Sequence, residues 1–212
     1  VSRCHFCVSK LLKRILAMTE AELNALLCAW LSQDKQRLRA LELALQCAQV
    51  YDIPQWCLAA GFVRNLVWDK LHDFKLRPLN DIDLIYYCPL DTLPERDRAI
   101  EAYLQTLAPD LPWSVKNQAR MHLKHLDNPY QSTQDAMCYW PEIETAVGVS
   151  LEQTLKSSAP AIEGLHIIAP FGLTSLFALQ LTPNPRRPLA LFQQRLAAKS
   201  WRKQYPRLAI AY

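Results

Sequence analysis

The chain has 212 residues, half of them hydrophobic, with 24 basic and 20 acidic side chains and a formal net charge of +4. That supplies enough apolar material for one large domain or two small ones, and it excludes a chain disordered over most of its length. No apolar run reaches the roughly 20 residues of a membrane helix, so the sequence predicts a soluble protein with no membrane partner. Residues 1–17 carry Arg3, Lys10, Lys13 and Arg14 without an acid and read as a basic leader, disordered or not native, ahead of a core that begins at Met18. Lysines break its apolar stretch and no small-residue cleavage site follows, which argues against a secretory signal. Cys4-x-x-Cys7 has no second ligand pair at zinc spacing. The seven cysteines form no regular framework and read as reduced thiols of a cytoplasmic protein.

From Thr19, a capping box to Glu22 opens an amphipathic stretch that predicts two helices over 19–50, split near Ser32 to Lys35. Trp56 to Phe74 reads as a short buried strand, a bend at Gly61, and a helix with Phe62, Val63, Leu66, Val67 and Leu71 at helical spacing. A strand over Asp81 to Tyr87 follows, then a helix from Glu95 to Leu107 with acids in its first turn. "LPWSVKNQARMHL" alternates as a third strand, with Trp113, Val115, Asn117 and Ala119 on one face. His122-x-x-His125 reads as a surface turn, Thr133 to Trp140 as a short helix stopped by Pro141, and "TAVGVSLE" and "GLHIIAP" as two strands paired in a hairpin. The final third is predicted to be helical in two pieces around "TPNPRRP". The order gives an α+β fold, a mixed sheet with helices at both ends, in which 18–170 form the core and 171–212 a basic helical segment packed on it.

Charge is unevenly spread. From Pro170 to Tyr212 there are seven basic residues and no acid, whereas Met18 to Ala169 holds 13 basic against 20 acidic residues. A polyphosphate or RNA partner would suit the basic end; the alternative is a tail folded back onto the acidic body.

The stretch "RPLNDIDLIYY" places Asp81 and Asp83 on one face of a buried strand, about 6.8 Å apart along the backbone. Two carboxylates on one surface repel and cost desolvation, which a divalent metal with oxygen ligands would relieve. The same pattern also suits a strand entrance, with Asp81 capping a turn and Asp83 meeting solvent or an arginine. Gly61 sharpens the first reading. A glycine between strand and helix lets the backbone approach a phosphate, and the helix start offers free N–H groups to it.

"AGFVRNLVWDKL…NDIDLIYY" resembles the signature of the DNA-polymerase-β-like nucleotidyltransferase superfamily, and its Gly-x-Val-Arg form is similar to the head of CCA-adding enzymes. With "WSVKNQARMH", "DAMCYWPEIETAVGV" and "APFGLTSLF", the chain resembles a family of predicted bacterial nucleotidyltransferases over Trp30 to Leu208. The resemblance implies Mg2+ or Mn2+ held by Asp81 and Asp83, a nucleoside triphosphate substrate admitted at Gly61 with Arg64 and Asn65 beside it, and transfer of a nucleoside monophosphate to an unidentified hydroxyl acceptor. Ala60 stands where a first glycine is frequent. A third carboxylate is expected on the next strand, where the sequence offers Asn117 as the catalytic candidate; Asp135, Glu142 or Glu144 could supply the charge from a loop. Lys116, Arg120 and Arg77 are further candidates for phosphate contact, while Trp56, Trp68, Trp113 and Trp140 read as core. Without the third acid, a catalytically silent nucleotide- or RNA-binding module of the same fold is the alternative.

Overall fold

A computed structural model describes residues 14–75, 77–152 and 164–212. The leader to Lys13, with its Cys4 and Cys7, lies outside them. The capping box forms as predicted: Glu22 accepts from the Thr19 N–H at 2.7 Å and the Thr19 hydroxyl accepts from the Glu22 N–H at 3.3 Å, opening α1 (Glu20–Gln33). Asp34 ends α1 and caps α2 (Lys35–Val50), accepting the N–H groups of Gln36 and Arg37 at 3.1 Å each.

The central strand β1 (Cys57–Ala59) runs into α3 (Gly61–Leu71). It pairs antiparallel with β2 (Ile82–Tyr86) on one side and with β4 (Gly148–Leu151) on the other. Beyond β2 lies β3 (Trp113–Asn117), parallel to it and reached through the crossover helix α4 (Pro94–Leu107). Beyond β4 lies β5 (Leu165–Ile168), paired antiparallel as the sequence predicts, which completes the sheet order β3-β2-β1-β4-β5. Alternation sorts the side chains. Leu58, Ile82, Leu84, Tyr86, Val115 and Val149 join the main core with Leu27, Leu41, Phe62, Leu66, Ile100 and Leu104 from the helices. Cys57, Ala59 and Ile85 point to the other face, into a small second core with Met137 and Ala146.

Four predicted elements change. The alternation of the third strand stops at Asn117, whose side chain accepts the Ala119 N–H at 3.0 Å and turns the chain into a short 3-10 turn. The following α5 (Met121–His125) makes His122 and His125 helical residues rather than parts of a turn. Next, α6 (Thr133–Met137), capped by Ser132, ends short of Trp140. The "FGLTSLFALQL" helix is cut to the single turn α7 (Thr174–Phe177), capped by the Glu20 carboxylate, which accepts the Leu173 and Thr174 N–H groups at 2.8 and 3.0 Å. Leu179 then takes φ of 57° and the chain extends into β6 (Gln180–Leu181). Extension buries Leu181 and lets β6 pair in parallel with β7 (Ala209–Ile210), a contact distant in sequence that local periodicity does not carry. Between them run α8 (Leu189–Lys199) and α9 (Trp201–Gln204). Phe192, Trp201, Tyr205 and Leu208 enter the same main core as α3, so residues 171–212 share the hydrophobic interior of the rest.

One buried carboxylate ties the strands that flank the site. Asp97 on α4 accepts from the Tyr86 hydroxyl at 2.7 Å and the Asn117 N–H at 3.1 Å, and it pairs with Arg120. Asp97→Ala leaves that guanidinium and both donors without their acceptor, and breaking a buried pair costs about 3–5 kcal/mol. The expected outcome is a large fall in the urea midpoint with an unchanged slope, read by circular dichroism.

Candidate active site

The bend between β1 and α3 is built on Ala60, which adopts φ 53° and ψ −117°. Glycine takes this conformation freely and alanine does so only under strain. Its N–H is satisfied by the Val147 carbonyl at 2.8 Å, so the surroundings hold the bend in place. Gly61 begins the helix, and its missing side chain matters locally: a Cβ there would come within 3.3 Å of the Asn65 amide and 3.5 Å of the Arg64 guanidinium.

Sheet register brings the acids to this bend. Ala59 pairs with Asp83 across the antiparallel β1–β2 ladder, and Asp81 precedes the strand by one residue. Asp81 and Asp83 line one recess of about 300 Å³ together with Gly61, Arg64, Asn65, Asn80 and, from the C-terminal segment, Arg195, Lys199 and Trp201. Neither carboxylate forms an ion pair with a described residue. Burial, reinforced by Asp81, pushes the Asp83 carboxyl up to about 6, against the opposing pull of Arg64, Lys199 and the Ser114 hydroxyl. The loop that delivers Asp81 is clamped from behind. Buried Asp69 pairs with Arg77 and accepts the Tyr205 hydroxyl at 3.0 Å.

Arg64 is nine-tenths buried, with its guanidinium 4.9 Å from the Trp68 ring and 4.8 Å from the Trp201 ring. It donates to the Asn65 amide oxygen at 3.2 and 3.0 Å. Burial pulls its pKa down to about 10, which still leaves it charged at neutral pH. Arg195 of α8 is held over the recess by the fully buried Glu142, at 2.6 and 3.2 Å.

Through Ala60, Arg64, Asp83 and Arg195 the recess opens into a cleft of about 370 Å³ on the far side of β2. Its wall carries Lys116 and Gln118 from the β3 side, Met121, Lys124 and His125 from α5, and the aromatic side chains of Tyr130, Tyr139 and Trp140. Arg186 and Arg187 lie 5.1 and 5.5 Å from the Tyr139 ring, and Arg187 makes a two-point pair with Asp127 at 2.8 and 2.6 Å. Burial and Arg187 hold the His125 imidazole below its ordinary pKa.

Residues 46–210 match the family model described as Nucleotidyltransferase. The chain is also similar to a structure solved by NMR and described as revealing a CCA-adding enzyme head domain, at 29% identity and a TM-score of 0.66, over 84% of this chain and 96% of that one. No curated protein matches. The chain belongs to the nucleotidyltransferase family.

The nucleotidyltransferase brings Gly61, Arg64, Asn65, Asp81 and Asp83 to one recess, and it leaves Asn117 out. Asn117 points to the other face, fully buried, with its amide oxygen accepting from Cys88 and Ala119 and its amide nitrogen donating to the Cys88 and Asp91 carbonyls. Every one of those bonds is structural, so Asn117 has nothing left for a metal or an acceptor. The strand position beside Asp83 is Ser114, and the next on that face is Lys116, beside Ile85. The loop acids do not replace it either: Glu142 is spent on Arg195, Glu144 accepts the Thr182 N–H at 2.9 Å, and Asp135 accepts the Gln131 N–H at 2.9 Å. Arg77 and Arg120, expected as phosphate contacts, hold Asp69 and Asp97. Sequence reasoning missed Arg195, Lys199, Trp201, Tyr139 and Arg187; the acid-free tail was the signal for the cations, and Trp140, assigned to the core, borders the cleft.

Two carboxylates without a cation, one of them protonating far above its ordinary range, fit a divalent ion of the magnesium type, which keeps several waters and needs only one or two protein carboxylates plus substrate phosphate. Among the described residues there is no cluster of three or more His, Cys, Asp or Glu that could hold a metal without substrate. Asp83 therefore weakens the empty fold above its own pKa. Because its folded pKa exceeds the unfolded value of 3.8, stability falls as pH rises from about 4 to 6. Asp83→Asn is expected to raise stability by about 2 kcal/mol at pH 7.5 in chelator, with the gain vanishing near pH 4, as read by thermal melts across pH.

Proposed function

We propose that the protein transfers a nucleoside monophosphate from a nucleoside triphosphate to an acceptor oxygen, with Mg2+ or Mn2+ held by Asp81 and Asp83. The observation that carries this reading is the pair of unneutralised carboxylates sharing a recess with the start of α3. At that helix start the free N–H groups and the positive end of the dipole favour a phosphate, and Gly61 keeps the approach open. Arg64, fixed by Asn65 and two indoles, sets a positive charge beside Asp83; Arg195 and Lys199 face the same recess from the tail. Such groups act by being in place before charge shifts toward the departing pyrophosphate. The bound ion would supply neutralisation of the triphosphate and polarisation of the attacked phosphorus.

A catalytically silent nucleotide-binding module is the second reading, and the lack of a third carboxylate along the described cleft favours it. Release of pyrophosphate on addition of an acceptor separates the two. RNA binding by the basic tail has less support, since Arg187 and Arg195 are paired internally and Arg207 donates to the Leu71 carbonyl at 2.6 Å.

In calorimetry with an NTP and Mg2+, the Asp81→Asn/Asp83→Asn double variant is expected to keep its fold and lose metal-dependent affinity by about a hundredfold, on the order of 3 kcal/mol. Equal affinity of the variant and the wild type would overturn the assignment. Arg64→Ala is expected to weaken NTP binding at least tenfold, about 1.4 kcal/mol, with metal affinity retained.

A further inference from the structure

The cleft has two halves that share Asp83. One, with the helix start and Asp81, suits the triphosphate; the other is left for the acceptor, and this step rests on the nucleotidyltransferase reading above. Among the described residues that line the acceptor half, the only carboxylate is Asp83. Register puts Lys116 on the face of β3 that carries Asp83's neighbour Ser114, and Lys124 reaches the same half from α5. Neither lysine enters an ion pair with a described residue, and both are exposed. Arg187, by contrast, is already neutralised by Asp127 and serves to steady Tyr139. So this half offers two uncommitted cations beside aromatic rings, with Asp83 assigned to the metal and, among the described residues, the His125 imidazole left as the one further group able to take a proton.

We propose that the acceptor is a phosphate monoester, held by Lys116 and Lys124 against Tyr139 and Trp140, and that its own phosphate oxygen is the nucleophile. Its second ionisation lies near pH 6, so at neutral pH the attacking oxygen is already deprotonated and the attack needs no base. The oxygen forms a bond to the α-phosphorus, the bond from that phosphorus to the β-bridging oxygen breaks, and pyrophosphate leaves with the electron pair. The product is a phosphoanhydride joining the nucleoside monophosphate to the acceptor phosphate, and no proton is transferred. The two lysines screen the approach of one anion to another, the main electrostatic obstacle to such an attack.

The test uses the full chain with Mg2+ and an α,β-methylene NTP, titrated with phenyl phosphate and with phenol. Phenyl phosphate is expected to bind and phenol not; Lys116→Ala should weaken phenyl phosphate at least tenfold, Lys116→Arg should restore most of it, and neither should change affinity for the NTP analogue. Equal binding of phenol, or phenyl phosphate affinity indifferent to Lys116, overturns the proposal while NTP binding stands; loss of NTP binding by the wild-type chain would instead remove the reading beneath it. A second arm supplies α-labelled NTP and glycerol 3-phosphate, which carries both hydroxyls and a phosphate. A labelled product with no phosphatase-labile phosphate supports attack by phosphate, whereas a labelled product from which alkaline phosphatase releases inorganic phosphate shows attack by hydroxyl and overturns it.

Discussion

The site depends on one strand register. Ala59 lies opposite Asp83 in the antiparallel β1–β2 ladder, so the residue that enters the bend and the residue that carries the inner acid sit side by side on the same face. A slip of one residue would turn Asp83 into the main core and bring Ile82 or Leu84 to the cleft. Leu58, Ile82, Leu84 and Tyr86 prevent that slip, because each would lose full burial. The flanking ties reinforce it. Asp97 locks the ends of β2 and β3 through Tyr86 and Asn117, and Asp69 holds the loop before Asp81 through Arg77 and Tyr205.

Given that register, the protein must keep two carboxylates close together without letting a nearby cation neutralise them. Arg64 is near enough to lower the Asp83 pKa, yet it pairs with neither acid. Its guanidinium is occupied by the Asn65 oxygen and confined by Trp68 and Trp201. Arg195 is withheld in the same way by Glu142. Buried Asp34, Asp69, Asp97 and Glu142 each pair with an arginine, whereas Asp83 does not. Electrostatic strain is concentrated where a ligand can relieve it.

Much of this was legible in the sequence because it is local. The capping box at Thr19, the strand-bend-helix around Gly61, the period-2 pattern of Ile82 to Tyr86 and the helix after Pro94 each follow from spacing within a few residues, and each appears where expected. The third strand shows the limit. Alternation continues in the letters past Asn117, but a side-chain hydrogen bond to Ala119 ends the strand, and the same amide bonds remove Asn117 from the site it was expected to complete. The tail shows another limit: Leu181 and Ile210 are paired 29 positions apart, so a helical pattern in "FGLTSLFALQL" lost to a contact that no local window contains.

The tail also resolves the charge asymmetry of the sequence in a way neither alternative anticipated alone. Its arginines do fold back onto acids of the body, Arg187 onto Asp127 and Arg195 onto Glu142. Those same pairs position the side chains along the cleft, while Lys199 in the recess keeps its charge free of described partners. Trp201 both packs in the main core and covers Arg64, so the segment that closes the hydrophobic interior also completes the walls of the site. Folding of the tail and assembly of the recess are therefore one event: the body alone would expose Trp68 and leave Glu142 without its cation, and both costs favour the docked arrangement.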